Sequence, residues 1–155
     1  RQATSKNEVH IEKQVTTEKA PQRRTTLESR LYALTHACVG ERAWIAGEIR
    51  SHVERLVKLT TGPSFLDSDP TKEMNAHVFT TEESIEGLRE RELLEDVSDA
   101  LTGYAHVIAR ECLSELRKEL LKSEKNENEE ELFVTLAKVK EFEQILQNTI
   151  IIEKK

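Results

Sequence analysis

The residues of this sequence that could carry out chemistry are its histidines, cysteines and clustered carboxylates. The closest pairings of nitrogen and sulfur ligands are His36 with Cys38 and His106 with Cys112. Neither pairing has the spacing of a zinc site. The sequence also contains no Gly-x-Ser-x-Gly elbow and no phosphate-binding glycine loop. We therefore predict no catalytic residue, no metal site and no cofactor, and we expect a protein that is not an enzyme.

Carboxylates are concentrated in one predicted helix, at Glu90, Glu92, Glu95, Asp96 and Asp99. On an exposed helical face such groups are ordinarily solvated charges, and no Glu-x-x-His repeat accompanies them as a di-iron site would require.

The two cysteines lie on apolar stripes, where a free cysteine behaves as a small apolar residue. We interpret them as a buried thiol pair, with a disulfide as the alternative, because the sequence shows few signs of an extracellular protein.

One short motif indicates regulation. Arg23 and Arg24 precede Thr25 and Thr26, an arrangement typical of substrates of basic-directed kinases. If a helix begins here, a phosphate on either threonine would lie at its N-terminus, where backbone donors and the helix dipole favour negative charge. Thr25 and Thr26 are therefore predicted phosphorylation sites.

Three groups of apolar residues are candidates for contact with a partner protein. Val9, Ile11 and Val15 alternate in the segment EVHIEKQVTT, a pattern that could add as a strand to the sheet of a partner. Trp44 is the only tryptophan. It is interpreted either as a core anchor or as an interface hot spot. The run Ile150, Ile151 and Ile152 would surround a helix with apolar side chains, which one helix face cannot bury, so we predict that another chain covers it.

Composition narrows the class of protein. The chain has 155 residues, of which 34% are charged, 37% are hydrophobic and 5% are aromatic. No stretch approaches the roughly 20 apolar residues of a membrane span, so we predict no membrane insertion. Residues 1–26 contain six basic residues against three glutamates, whereas the whole chain has a net charge of −6. The acidic body would repel phosphate groups, and we expect no nucleic-acid binding through this chain.

The first predicted helix covers residues 27–59. Thr25 and Glu28 have the spacing of a capping box. Apolar residues then recur at steps of three and four. The pattern loses one step just after Gly40, which predicts a kink or break there.

Residues 60–80 contain two of the three prolines and are predicted to form a long crossover loop. The second helix is predicted at 81–123, with Thr80 and Glu83 at capping-box spacing and a possible break near 87–92. The third helix is predicted at 128–152. The fold class is thus all-α: an elongated, coiled-coil-like bundle of three main helices at 27–155, preceded by a flexible or partner-docking arm at 1–26.

Two functional interpretations remain open. The first is a non-enzymatic helical scaffold, a subunit of a larger intracellular assembly, in the cytoplasm or nucleus, that binds other protein chains in a hetero-oligomer rather than a homo-oligomer. The second rests on layout alone. The predicted order over about 27–152 is a helix, a long crossover, a second helix, a short joint and a third helix. This order resembles the first three elements of the long-chain four-helix cytokines. This resemblance implies a secreted ligand of a cell-surface receptor.

Overall fold

The computed structural model of the chain describes residues 19–60, 64–67, 71–126 and 129–154. Within these ranges the structure is entirely helical, as the sequence predicts, and it contains no strand. Five α-helices occur in the described residues where three main helices were predicted: α1 Lys19–Ala37, α2 Ala43–Lys58, α3 Lys72–Glu86, α4 Glu90–Asn126 and α5 Glu129–Gln147. Two short 3-10 turns, Gly40–Arg42 and Phe65–Asp67, accompany them.

The predicted start of the first helix at residue 27 is wrong. Helix α1 begins at Lys19, so residues 19–26 belong to a helix and not to a flexible arm. Thr25 and Glu28 lie within α1, where their capping-box spacing has no capping role because the backbone donors nearby already bond within the helix. Residues 1–18, with Val9, Ile11 and Val15, lie outside the described residues, and their docking role stays a prediction.

The predicted break near Gly40 is confirmed. Helix α1 ends at Ala37 and α2 begins at Ala43. Gly40 has a φ of 62°, in the left-handed region that glycine enters without a steric penalty. The missing step in the apolar pattern therefore marks a true change of direction between two separate helices.

The predicted crossover at residues 60–80 is shorter than expected, because α3 occupies Lys72–Glu86. The true N-cap is Thr71, whose Oγ1 accepts a hydrogen bond from the Met74 amide at 3.1 Å. Thr80 lies inside α3, and its hydroxyl donates to the Ala76 carbonyl at 3.0 Å. The prediction of a start at Thr80 or Thr81 is therefore wrong. A threonine three residues before a glutamate also occurs within helices, where its hydroxyl bonds to the preceding turn.

The predicted break at 87–92 is confirmed, since α3 ends at Glu86 and α4 begins at Glu90. Arg42 lies at the break between α1 and α2, and its side chain forms hydrogen bonds at this second break, between α3 and α4. Its guanidinium donates to the Ile85 carbonyl at 2.8 Å and to the Leu88 carbonyl at 2.6 Å. The last carbonyls of a helix lack partners within the helix, and a cation there also interacts favourably with the helix dipole. One side chain thus joins the two places where the helices break.

The main core lies between α1, α2, α3 and the first two thirds of α4. The apolar periodicity predicted Leu94 as the core residue of its turn, which is wrong, because Leu93 is the fully buried one and Leu94 is only partly buried. The most deeply buried side chains are Leu31, Leu34, Ile45, Ile49, Val53, Leu93, Val97, Leu101, Tyr104 and Ile108. A second, smaller cluster joins α4 to α5 through Ala109, Leu113, Leu116 and Phe142. Helix α4 is therefore shared between the two clusters, and its last part packs with α5 as a helical hairpin.

The prediction that the third helix extends to residue 152 is wrong. Helix α5 ends at Gln147, and residues 148–154 continue without helical structure. We call this segment the C-terminal strap, because it lies along α4.

Candidate interaction surfaces

The C-terminal strap is held against α4 by three polar side chains spaced four residues apart. The ring Nε2 of His106 lies 3.2 Å from the Asn148 carbonyl, so it must carry the proton that is donated. Thr102 Oγ1 accepts from the Ile150 amide at 2.9 Å. Ser98 Oγ lies 3.4 Å from the Ile152 amide and also accepts from it.

This register follows from simple geometry. Four residues of helix advance about 6.0 Å, and two residues of an extended segment advance about 6.6 Å. Alternate strap residues therefore meet successive turns of α4, and the strap runs antiparallel to the helix.

Because alternate residues of the strap face opposite ways, the three isoleucines differ in burial. Ile152 is 3% exposed and belongs to the main core, and Ile150 packs partly buried against the same core. Ile151 points the other way and is 68% exposed. The expectation that another chain covers all three is thus wrong for Ile150 and Ile152, because the run is extended and the protein buries these two itself. An interface role stays a prediction for Ile151 only.

Polar contacts bind α1 to α4 on another face. The Tyr104 hydroxyl donates to Glu28 Oε2 at 2.9 Å. Arg24 contacts Glu28 at 3.3 Å and Glu111 at 2.5 Å. Burial and the hydrogen bond to Glu28 raise the pKa of Tyr104, so the phenol stays protonated and acts as a donor. The contacts show that the two helices are antiparallel, since Arg30, later in α1 than Arg24, contacts Asp96, which is earlier in α4 than Glu111.

The predicted thiol pair is wrong, although both cysteines are free. Cys112 follows Glu111, which pairs with Arg24 near the start of α1. Cys38 follows the end of that helix. The 14 residues between Arg24 and Cys38 correspond to about 20 Å of helix axis, whereas a disulfide requires Cα atoms within about 7 Å. Burial raises the pKa of each thiol, which makes both poor nucleophiles at neutral pH.

Trp44 lies at the edge of the main core and is partly buried against it. Its indole Nε1 is buried without a hydrogen-bond partner among the described residues. These contacts fit the interpretation of Trp44 as a core anchor, and its interface role stays a prediction.

The threonines of the predicted phosphorylation site are both exposed. They lie six and seven residues after Lys19, the first residue of α1. The proposed favourable effect of a helix N-terminus on a phosphate is therefore wrong, because that effect is confined to the first turn. Modification itself stays a prediction, without this mechanism.

The largest exposed apolar side chains of the hairpin lie near the α4–α5 joint. Leu121, Phe133, Val134 and Leu136 are 61%, 73%, 57% and 42% exposed, respectively, and we call them the hairpin-tip patch. Phe133 and Leu136 are three residues apart on α5 and are therefore neighbours on its surface. Leu121 lies six residues before the joint at 127–128, at the same level of the hairpin.

Small polar residues fill the interior of this hairpin tip. Ser123 and Thr135 are 2% and 4% exposed. The Thr135 hydroxyl donates to the Glu131 carbonyl at 2.8 Å, and Ser123 Oγ has no partner among the described residues. At the hairpin tip two small polar side chains are thus buried, while large apolar side chains nearby are exposed.

The sequence patterns did not predict this patch. The signal that could have found it is the run Leu132, Phe133 and Val134. Consecutive helical residues are 100° apart, so three in a row cannot all face α4.

No group of three or more His, Cys, Asp or Glu side chains in the described part of the chain could hold a metal ion. None of the helices in that part combines the length and the apolar character needed to cross a bilayer.

Comparison with known proteins gives no relative. No family model, no curated protein and no solved structure matches this chain.

Proposed function

We propose that this chain is a non-enzymatic helical scaffold that binds other protein chains as a subunit of a larger intracellular assembly. The observation that carries the proposal is the hairpin-tip patch, where large apolar side chains face solvent while the polar Ser123 and Thr135 are buried. Apolar residues grouped on a surface are a common mark of a protein interface.

Burial of the aromatic side chain of the patch, Phe133, would stabilise a complex. Phe133 is 73% exposed, and full burial of such a side chain is worth about 1.5–3 kcal/mol. A partner that covers Phe133 and Leu136 together would gain this free energy without rearrangement of the main core, which lies at the other end of α4. The expected partner is an apolar face of another chain, in a hetero-oligomer.

The two free thiols also support an intracellular site of action. Disulfides form and persist mainly in oxidising compartments, and neither cysteine has a position from which it could reach the other. The cytokine-like alternative depended on a long open crossover. Helix α3 now fills Lys72–Glu86 of that region, so no structural observation favours this alternative.

The test compares Phe133→Ser with Lys140→Ser. Lys140 lies seven residues from Phe133, and two helical turns place it on the same face of α5. Both residues are exposed, so neither substitution should change the helical content measured by circular dichroism. Each protein is immobilised and exposed to extract from the source cells, and the bound chains are identified and their affinities measured.

We expect the partner to bind the Lys140→Ser protein as tightly as the unmodified chain. Phe133→Ser should weaken binding roughly 30-fold, as loss of an aromatic hot spot does. Equal binding by both variants would contradict the assignment of the patch. Self-association that depends on Phe133, measured by light scattering, would replace the hetero-oligomer with a homo-oligomer.

A further inference from the structure

A second surface lies at the opposite end of α4, between its first turns and the C-terminal strap. A groove of about 640 Å³ runs there, and we call it the strap groove. Its apolar lining is Leu94 from α4 with Ile151 and Ile152 from the strap. From Asp99 in this groove to Leu121 in the hairpin-tip patch, α4 extends about 33 Å. The two surfaces can therefore act independently.

The strap has unpaired backbone groups on the edge that faces away from α4. The amides of Ile150 and Ile152 bond to α4. In an extended segment the backbone groups of alternate residues face opposite ways, so those of Ile151 and Glu153 are directed away from these bonds. Within the described part of the chain neither residue has a backbone hydrogen bond. An extended segment with unpaired donors and acceptors is a template for another extended chain.

Charge identifies the occupant. Glu90, Glu95, Asp99 and Glu153 line the groove together with a single cation, Arg91. The lining therefore has a net charge of −3. Arg91 contacts Glu95 at 3.6 Å. Glu90 also lines a neighbouring pocket with Arg42 and Lys154, so Asp99 and Glu153 remain for an incoming cation.

We propose that the strap groove binds an extended, lysine- or arginine-rich segment of a partner protein. Alternate apolar side chains of that segment contact Leu94 and Ile151, and its cations meet the carboxylates of the rim. This site is separate from the hairpin-tip patch and does not depend on the function proposed for that patch.

The test uses two labelled eight-residue peptides with the full chain. One alternates lysine with valine, and the other alternates glutamate with valine. Binding is followed by fluorescence anisotropy, and the bound site by the amide chemical shifts of Ile151 and Glu153. We expect the lysine peptide to bind and to shift these amides, and the glutamate peptide to do neither. Binding should weaken about tenfold between 50 and 200 mM salt, because the contacts at the rim are exposed to solvent.

Two double variants separate a specific site from general attraction to an acidic protein. Asp99→Lys with Glu153→Lys reverses two charges of the groove. Glu130→Lys with Glu143→Lys reverses two exposed charges of α5, with the same change in net charge. The groove variant should bind the lysine peptide roughly tenfold more weakly, and the α5 variant within threefold of the unmodified chain. Equal losses in both variants, or binding of the lysine peptide without shifts of the strap amides, would overturn the proposal.

Discussion

Replacement of Ile152 by alanine tests whether the C-terminal strap is part of the fold. The substitution removes three carbon atoms from a side chain that is 3% exposed. At about 0.8 kcal/mol for each buried methylene or methyl group, the loss of transfer free energy is about 2.4 kcal/mol. A rigid cavity would add to this value, but the strap lies at the end of the described chain and can move to close part of the space. We expect the free energy of unfolding to fall by about 2–3 kcal/mol.

The neighbouring residue provides the control. Ile151→Ala removes the same atoms from a side chain that is 68% exposed, so its cost should stay below about 1 kcal/mol. Urea denaturation followed by far-ultraviolet circular dichroism gives both values. A typical urea m-value for a small protein is about 1–3 kcal/mol per molar, so the midpoint for Ile152→Ala should fall by about 0.7–3 M. Costs for the two variants within 0.5 kcal/mol of each other would refute the docked strap.

Three further substitutions test the contacts that order the main bundle. Tyr104→Phe removes the hydroxyl that donates to Glu28 and should lower the free energy of unfolding by about 1–2 kcal/mol. The control, Tyr32→Phe, should lower it by less, and equal losses in the two variants would contradict the contact. Arg42→Met removes both hydrogen bonds to the end of α3 and should speed amide hydrogen exchange across Lys72–Glu86 by at least about tenfold, whereas unchanged exchange would show that the guanidinium does not hold this helix. Burial and the nearby Arg55 lower the pKa of His52 from its ordinary value of 6.5, so the unfolded chain binds more protons and stability should be full above pH 6.5 and fall below it. His52→Gln should flatten the stability profile between about pH 5 and 7, and an unaltered slope would count against a partly buried, neutral ring at this position.

The apolar periodicity predicted the helical fold and both breaks, because these depend on short-range information. A missing step near Gly40 and a polar turn at 87–92 each mark a place where a helix cannot keep one face on the core. The sequence could not show that Arg42 joins the two breaks, because that contact spans 43 to 46 residues. Such a pairing is set by tertiary packing.

Errors at the helix ends have a common cause. Thr25 and Thr80 each lie three residues before a glutamate, and this pattern has the same appearance at a helix start and inside a helix. Of these three threonines, Thr71 is the one that caps a helix, although no glutamate lies three residues after it. The local pattern cannot decide between the possibilities, because contacts with distant residues, such as that of Arg24 with Glu111 of α4, also act on the first turns of α1.

The candidate surfaces were predicted least well. A helical conformation of the three isoleucines would make them a group that one chain cannot bury. An extended backbone instead divides them by alternation, with Ile152 buried and Ile151 exposed. The partners that impose this conformation are Ser98, Thr102 and His106, about 50 residues earlier in the chain. Their spacing of four is visible in the sequence, but the segment that they bind is not.

The most direct test of the interaction role is site-specific photocrosslinking from the hairpin-tip patch. A photoreactive phenylalanine analogue is placed at Phe133 in one protein and at Lys140 in another, and each is irradiated in extract from the source cells. The account predicts a discrete covalent adduct with another protein chain from position 133, with little or none from position 140. An adduct of equal yield from both positions, or none from position 133, would contradict the proposal that this chain acts through the hairpin-tip patch.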